Sequence, residues 1–253
     1  MTARLDLEYV GTGFAGWARQ PGLRTVQGEL EAALERIRGE TTALTVAGRT
    51  DRGVHAVGQV ASHAGMPVRA EALNALLPGD VAVRRSTAAP GFDARGDALA
   101  RRYRYRVLAR RERSALEDGR ALWWPHRLER DLLHACAALL PGSHDFTAFT
   151  PTQTDHVRFE RDVYEARWIE DGDLLAFEIE ADTFMRHMNR VLVGTMLEVA
   201  GGRRSVDDLA RLLDGAHRRD AGPTVPAYGL WLVAVRYPGE PWPRGRSAGR
   251  RGS

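Results

Sequence analysis

Hydrophobic and polar residues in the first hundred positions follow two different periods, which predicts a mixture of strands and helices. Residues 4–10 alternate apolar and polar side chains, as a half-buried strand does. From residue 26 to residue 37, apolar side chains recur at helical spacing, and Thr25 precedes them as a suitable helix cap. The other elements predicted in this half are strands at 44–47, 57–62 and 81–86 and a short helix at 71–77.

The second half repeats the same order of elements. The pattern predicts strands at 101–109, 162–169, 174–181 and 230–237, and helices at 128–140, 184–199 and 205–213. Each half is therefore, in outline, a β-α-β-β-α-β unit of the ferredoxin-like kind. We predict an α+β fold in which two tandem ferredoxin-like (RRM-like) units form an extended antiparallel sheet with helices on one face.

This repeat also predicts the domain organisation. Residues 1–100 form the N-terminal unit and residues 101–240 the C-terminal unit, whereas residues 241–253, rich in Pro, Gly, Arg and Ser, are expected to be a disordered basic tail. No apolar run approaches the length of a membrane span, and the N-terminus lacks a hydrophobic signal core. The single cysteine, Cys136, excludes an intramolecular disulfide. We therefore expect a soluble, cytoplasmic protein.

The basic residues are all arginines, 36 of them against 33 acidic residues. The absence of lysine excludes Schiff-base chemistry and a Walker A phosphate loop. Eight arginines and two acids lie between Arg95 and Arg113. Because arginine pairs with phosphate in a bidentate fork and stacks on bases, this cluster favours a nucleic-acid partner over a merely solvated basic face.

One acidic residue, Asp51, lies among cationic neighbours in the run Ala47-Gly48-Arg49-Thr50-Asp51-Arg52-Gly53-Val54-His55-Ala56. Arg49, Arg52 and His55 place positive or potentially positive charge close by, which favours the ionised carboxylate. The two flanking glycines allow a sharp turn that presents the acid outward. Such an aspartate suits a nucleophile or base for a polyanionic substrate, although a surface turn with compensating charges has the same pattern.

A second candidate feature is the run Arg101-Arg102-Tyr103-Arg104-Tyr105-Arg106-Val107. Strand alternation places Tyr103, Tyr105 and Val107 on one face and Arg102, Arg104 and Arg106 on the other. One interpretation is an aromatic core face with a solvated basic face. The other is an aromatic platform for a base beside an arginine stripe that contacts backbone phosphates, to which Arg52 also contributes.

The predicted helix at 184–199 carries a third feature. Arg186 and Arg190 are four residues apart and share one helix face, which Gly194 continues without bulk. A helix cation near a loop carboxylate would orient Asp51. An ordinary amphipathic helix with exposed arginines is the alternative.

Cofactor motifs are weak. The run Gly11-Thr12-Gly13-Phe14-Ala15-Gly16 fits the dinucleotide fingerprint, but a helix is predicted only from about Thr25, too late to hold a pyrophosphate. The histidines have no metal-ligand spacing, and His144-Asp145 is predicted to be a loop. We expect neither a metal nor a nucleotide cofactor.

Taken in order, these runs resemble the tRNA pseudouridine synthase A (TruA) family, over nearly all of residues 4–238. The runs that carry the resemblance are Tyr9–Trp17, Arg24–Leu30, Gly48–Val60, Leu76–Asp80, Phe92–Arg95, Arg102–Tyr105, Phe184–Thr195 and Ala221–Leu230. The chain departs from the family's usual residues at Val10, Ser62, Asp93 and Asn189.

The resemblance implies a reaction and a set of roles. Asp51 would be the essential nucleophilic aspartate, Tyr103 the tyrosine that stacks on the target base, and Arg190 the helix arginine paired with the aspartate. Arg49 would help to hold the place of the flipped-out nucleotide. The family converts uridines at positions 38, 39 and 40 of the tRNA anticodon arm to pseudouridine, as a homodimer without metal or organic cofactor.

Two other classes of function remain as alternatives. A non-catalytic RNA-binding protein could be built on tandem RRM-like units, but the RNP aromatic string is absent from the sequence. A nicotinamide oxidoreductase would depend on the glycine run alone. Whether Asp51 attacks covalently or assists glycosidic elimination is left open by the residues.

Overall fold

The computed structural model describes residues 1–154 and 156–241 of the chain. The strands are β1 (Thr2–Tyr9), β2 (Thr45–Val46), β3 (His55–Ala64), β4 (Val81–Ala88), β5 (Ala100–Leu108), β6 (Leu122–Trp123), β7 (Gly142–Asp145), β8 (Glu160–Asp171), β9 (Leu174–Ala181) and β10 (Leu230–Arg236). The helices are α1 (Val26–Arg38), α2 (Ala70–Asn74), α3 (Arg130–Ala138), α4 (Met188–Ala200) and α5 (Val206–Leu212). Apart from residue 241, the predicted tail at 241–253 lies outside the described residues.

The strands form one large, mostly antiparallel sheet, which confirms the predicted α+β class. Its order is β4-β1-β3-β10-β5-β9-β8-β7, with β2 paired to β3 and β6 paired to β5. The pairs β10–β3 and β5–β6 are parallel, and the others are antiparallel. The two halves of the chain meet where Trp231 and Leu232 pair with His55 and Ala56. The C-terminal strand therefore brings the start of β3, and the loop before it, next to β5.

A continuous hydrophobic core connects the two halves of the sheet. Along β1, every second side chain from Ala3 to Tyr9 is buried, and the intervening ones are partly exposed. The same core includes Tyr105 of β5 and Met188 and Leu192 of α4. Alternation in the sequence thus identified the buried face of these strands correctly.

The first helix confirms the predicted cap. The Thr25 hydroxyl accepts a hydrogen bond from the backbone N–H of Gly28 at 3.2 Å, and α1 begins at Val26. The helix ends at Arg38 and is capped by Gly39, whose φ of 73° is in the left-handed region that glycine tolerates.

Two predictions about secondary structure were wrong. The helix expected at 184–199 begins only at Met188, because His187 has a φ of 64° and interrupts the helical backbone. His144 and Asp145, expected in a loop, belong to β7 and pair with Arg161 and Glu160 of β8. A pairing of this kind depends on a distant strand, so the local pattern could not indicate it.

Candidate active site

The Asp51 loop (residues 47–54) connects β2 to β3 and turns at Gly53, one of the two glycines expected to allow the turn. The backbone N–H of Val54 donates to the carbonyl oxygen of Asp51 at 3.2 Å, and Gly53 between them has a φ of 80°. The side chain of Asp51 is 38% exposed and borders a cleft of about 580 Å³. This volume is within the range of small-ligand sites.

The glycine run at 11–16 supports this loop by close packing. A Cβ atom on Gly11 would lie 1.9 Å from the carbonyl oxygen of Val54, and one on Gly16 would lie 2.9 Å from that of Thr50. The next residue, Trp17, donates its backbone N–H to the Thr50 oxygen at 3.0 Å. The motif that matches a dinucleotide fingerprint therefore serves as the backing of the Asp51 loop.

A buried polar network holds the loop from below. The hydroxyl groups of Tyr9 and Thr50 lie 2.7 Å apart, and the Gln59 amide donates to the Tyr9 hydroxyl at 3.2 Å and to the Gly48 carbonyl at 2.8 Å. Burial raises the pKa of Tyr9 to about 12, so its phenol stays protonated. The Thr50 hydroxyl and the Gly48 carbonyl of the loop are thereby hydrogen-bonded, which favours one conformation.

His55 does not act as a cationic neighbour of Asp51, contrary to the expectation from sequence spacing. Its ring is fully buried and stacks on Trp231, with centroids 4.2 Å apart. Nδ1 accepts from the Gly11 N–H at 3.0 Å, so Nε2 carries the proton and donates to the carbonyls of Gly119 and Tyr228, each at 3.0 Å. Burial lowers the pKa of His55, which makes it a neutral structural residue.

Tyr103 lines the same cleft from the middle of β5. Its ring is nearly buried and meets Phe184 edge to face, with centroids 5.0 Å apart and planes at 80°. Burial raises the pKa of the phenol, and the nearby charge of Asp51 acts in the same direction. The structure thus brings Asp51 and Tyr103 into one cleft, with an aromatic ring already ordered on the wall.

Arg101 is a residue of this site to which the sequence assigned no role. Its guanidinium donates to the carbonyl of Ala47 from Nε at 3.0 Å and from Nη2 at 2.7 Å, and to that of Asp182 from Nη1 at 2.9 Å. Burial lowers the pKa of Arg101. The side chain therefore ties the start of the Asp51 loop to β5 and to the segment after β9. Four arginines lie within six positions of this run, and the sequence alone does not distinguish Arg101 from the other three.

His187, at the start of α4, is the residue that approaches Asp51. Its Nε2 atom lies 3.7 Å from Asp51 Oδ2. Arg190 lies one turn further along and donates Nε to the Val225 carbonyl at 2.7 Å. The charges of Arg190 and Asp51 still act on each other, whereas burial lowers the pKa of Arg190.

The other arginines expected to contact RNA fall into two groups, those exposed to solvent and those in ion pairs with glutamates. Arg49 is exposed and lines the cleft, and Arg52 is exposed beside it in the loop. On β5, each of three arginines binds carboxylates of neighbouring segments: Arg102 binds Glu165 and Glu180, Arg104 binds Glu178, and Arg106 binds Glu117, at 2.5–2.9 Å. The expected phosphate-binding stripe is therefore neutralised by acids from β8, β9 and the segment after β5.

Several features of the described residues bear on other functions. No group of three or more His, Cys, Asp or Glu side chains in these residues is placed to hold a metal ion. None of the helices in the described part of the chain is both long enough and apolar enough to span a membrane.

Asn189, in the wall of the cleft, is buried, and its Oδ1 has no hydrogen-bond partner among the described residues.

Comparisons with known proteins agree on one family. A family model described as tRNA pseudouridine synthase matches residues 7–100 and 136–238. The chain is 42% identical over 242 residues to the tRNA pseudouridine synthase A of Geobacter sp. (strain M21), covering 93% of this chain and 98% of the relative. It is 46% identical over 253 residues to that of Frankia casuarinae, covering 94% and 90%.

Among solved structures, a chain from a Cbf5-Nop10-Gar1 complex aligns with 78% of this chain and 54% of its own length. Its TM-score of 0.36 and identity of 12% are too low to support an argument. The family match and the relatives do not depend on it. Since they cover most of the chain at about 40% identity or more, the chain belongs to the tRNA pseudouridine synthase family.

Proposed function

We propose that this protein converts uridine to pseudouridine at positions 38, 39 and 40 of the tRNA anticodon stem-loop, with Asp51 as the nucleophile. Family membership makes the chain an isomerase that acts on uridine in tRNA. The observation that supports the finer proposal is the cleft itself. It brings Asp51 and Arg49 of one loop together with Tyr103 of β5 at one opening large enough for a nucleotide-sized ligand.

The reaction breaks the N1–C1′ glycosidic bond, turns the uracil, joins C5 to C1′ and releases the proton from C5. No electrons are gained or lost, so no redox partner is needed. Two routes use the Asp51 carboxylate: covalent attack on the sugar or base, or assistance to glycosidic elimination. Partial exposure at the cleft leaves the carboxylate accessible for either route.

Access to the uracil requires extrusion from the RNA stem, which costs a few kcal/mol. We assign the compensating stack to Tyr103, whose ring is held by Phe184 at the wall of the cleft. Arg49, exposed at the opening, would occupy the place that the extruded nucleotide leaves. The charges of Arg190 and Asp51 attract each other, which would help to orient the carboxylate.

Contacts to the RNA backbone are assigned first to Arg49 and Arg52, because both are exposed in the Asp51 loop. Arg102, Arg104 and Arg106 would have to exchange glutamate partners for phosphate, so their contribution to binding is expected to be small. The anticodon arm as the region bound, a homodimer as the active assembly and the cytoplasm as location belong to the same proposal through the family.

We also infer that the sheet consists of two tandem ferredoxin-like units, residues 1–100 and 101–240. The first half has the spatial order β4-β1-β3-β2, which is fourth, first, third, second. When the short strands β6 and β7 are left out of the count, the order β10-β5-β9-β8 of the second half is the same. This is the strand order expected when β-α-β-β-α-β folds with both crossovers on one side. Such a sheet leaves its other face open to a large ligand.

The proposal is tested with purified protein and an unmodified transcript of a tRNA anticodon arm. Wild-type protein should form pseudouridine at positions 38–40, quantified by mass spectrometry after nuclease digestion, and Asp51→Asn should form none while binding the RNA. Asp97→Asn, outside the cleft, is the control and should be as active as wild type. Tight RNA binding by wild type without pseudouridine would indicate the binding-protein alternative. Full activity of Asp51→Asn would remove the nucleophile assignment.

A further inference from the structure

The structure carries an inference about His187 that rests on the proposed function of Asp51. We propose that His187 is a positioning residue for the Asp51 carboxylate, which it orients through the Nε2–H of a neutral imidazole. Nε2 is 3.7 Å from Oδ2. Hydrogen bonds in active sites are commonly long in the free enzyme and shorten in the complex with substrate.

The backbone of His187 has an unusual conformation. Among the described non-glycine residues, His187 alone has a positive φ, 64° with a ψ of −3°. Residues with a Cβ are uncommon in this left-handed region; Asn, Asp and His occur there more often than the others, and glycine is the least restricted. Glycine or asparagine would thus also satisfy the backbone. The requirement for a turn before α4 therefore does not explain why an imidazole is present.

The side chain of His187 points into the cleft and does not cap the helix. His187 is the N-cap residue of α4, and its carbonyl accepts from the N–H groups of Arg190 and Val191, each at 3.0 Å. Its side chain makes no capping hydrogen bond to the helix. The left-handed turn instead places the ring in the wall of the cleft beside Asp51. A strained residue next to a reactive group is a recurrent feature of active sites.

Charged groups on three segments surround the imidazole of His187. The groups that act on it are Asp51 from the loop, Arg186 and Arg190 from its own segment and Arg218 from the segment before β10. Burial, the largest effect, lowers the pKa of His187, and the three arginines lower it further, while Asp51 opposes them. At neutral pH the imidazole is uncharged.

A neutral imidazole next to Asp51 has a specific chemical advantage. It donates one hydrogen bond that selects a carboxylate orientation, and it leaves the anionic charge of Asp51 for the reaction. A permanently cationic side chain at the same distance would hold that charge in an ion pair. Protonation of His187 in acid would have the same effect, so the rate should fall as His187 becomes charged.

The test uses three substitutions that separate the ring from the turn. His187→Gly and His187→Asn both suit the left-handed backbone and remove the imidazole, whereas His187→Gln returns an N–H donor near the position of Nε2. His134→Asn on α3 is the matched control, because His134 is exposed and bonded to Glu170, away from the cleft. Single-turnover rates with saturating anticodon-arm RNA are measured from acid to neutral pH, together with RNA affinity and thermal unfolding.

We expect His187→Gly and His187→Asn to lose roughly 10- to 100-fold in rate, with RNA affinity and thermal stability unchanged or improved. His187→Gln should recover part of the rate, and the acid limb that belongs to His187 should be missing in all three variants. Wild-type rates and pH profiles in the Gly and Asn variants would overturn the inference and leave His187 as a turn residue only. Wild-type protein that forms no pseudouridine would overturn the proposed function, and this inference with it.

Discussion

The Arg101 guanidinium donates two hydrogen bonds to the carbonyl oxygen of Ala47, from Nε at 3.0 Å and from Nη2 at 2.7 Å. This contact joins the Asp51 loop of the first half of the chain to β5 of the second half. Nη1 of the same group reaches the carbonyl of Asp182 after β9. One side chain therefore sets the distance between the loop that carries the acid and the strand that carries Tyr103.

Replacement of Arg101 by lysine should uncouple these segments. An ammonium group cannot reproduce the planar fork, so at least one of the carbonyls is left without its donor. We expect Arg101→Lys to lower the free energy of unfolding by about 1–3 kcal/mol and to reduce turnover more than RNA affinity. Urea unfolding and single-turnover kinetics would measure this. Unchanged turnover in a folded variant would contradict a positioning role for Arg101.

The glycine run offers a stability test of the packing beneath the active-site loop. A methyl group on Gly11 would overlap the Val54 carbonyl, at 1.9 Å, and this neighbour is backbone that cannot turn away. We expect Gly11→Ala to destabilise the protein by about 3 kcal/mol and to disturb the Asp51 loop. Gly79→Ala is the matched control, because nothing lies within 4 Å of its added methyl group. Equal unfolding midpoints for the two variants would contradict the close packing of Gly11 against the Val54 carbonyl.

The buried histidines predict a pH dependence of stability. Burial lowers the pKa of His55 and of His63 in the folded protein. Between the folded pKa and the ordinary value of about 6.5, the unfolded state binds more protons, so the free energy of unfolding decreases as the pH falls. Urea titrations at several pH values between neutral and mildly acid should show this loss. The lowered pKa of His187 contributes in the same direction. His55→Gln, which removes one of these titrations, should reduce the slope, and a slope equal to wild type would contradict the assignment to His55.

The local pattern of the sequence was sufficient to predict most of the elements and the buried faces. Strands such as β1 and β5 and the capped start of α1 depend on neighbouring residues, which alternation and capping describe. The local pattern also singled out Asp51, Arg49 and Tyr103, which the structure brings to one cleft. These residues stand out because their surroundings in the sequence are unusual.

The remainder of the site depends on contacts between distant segments. Arg104 and Glu178 face each other only because β5 and β9 pair in one register, and no local pattern reveals that register. The role of Arg101 likewise depends on a carbonyl 54 positions away. His187 was overlooked because a helical pattern starting at Phe184 concealed the left-handed residue that delays the helix to Met188.

Paired and exposed arginines should behave differently in RNA binding. Arg49 is exposed at the cleft, so Arg49→Ala should weaken RNA binding and reduce the slope of affinity against salt concentration by about one counterion. Arg104 is engaged by Glu178, so Arg104→Ala should leave that slope unchanged and lower the free energy of unfolding by roughly 2 kcal/mol. Binding titrations at four salt concentrations, with urea unfolding in parallel, separate the two. A reduced salt slope for Arg104→Ala would support the prediction that the arginines of β5 contact backbone phosphates.

Tyr103 should affect turnover far more than binding. Stacking on one base contributes about 1–3 kcal/mol, a small part of an interface that also includes backbone charges, but the stack holds the extruded uracil beside Asp51. We therefore expect Tyr103→Ala to reduce the single-turnover rate by a factor of roughly 100 or more, with RNA affinity reduced less than about tenfold. Tyr103→Phe keeps the ring against Phe184 and separates stacking from any role of the hydroxyl. Proportionate losses of affinity and rate in Tyr103→Ala would mean that the ring contributes ordinary binding, and a Phe variant as slow as the Ala variant would transfer the role from the ring to the phenolic oxygen.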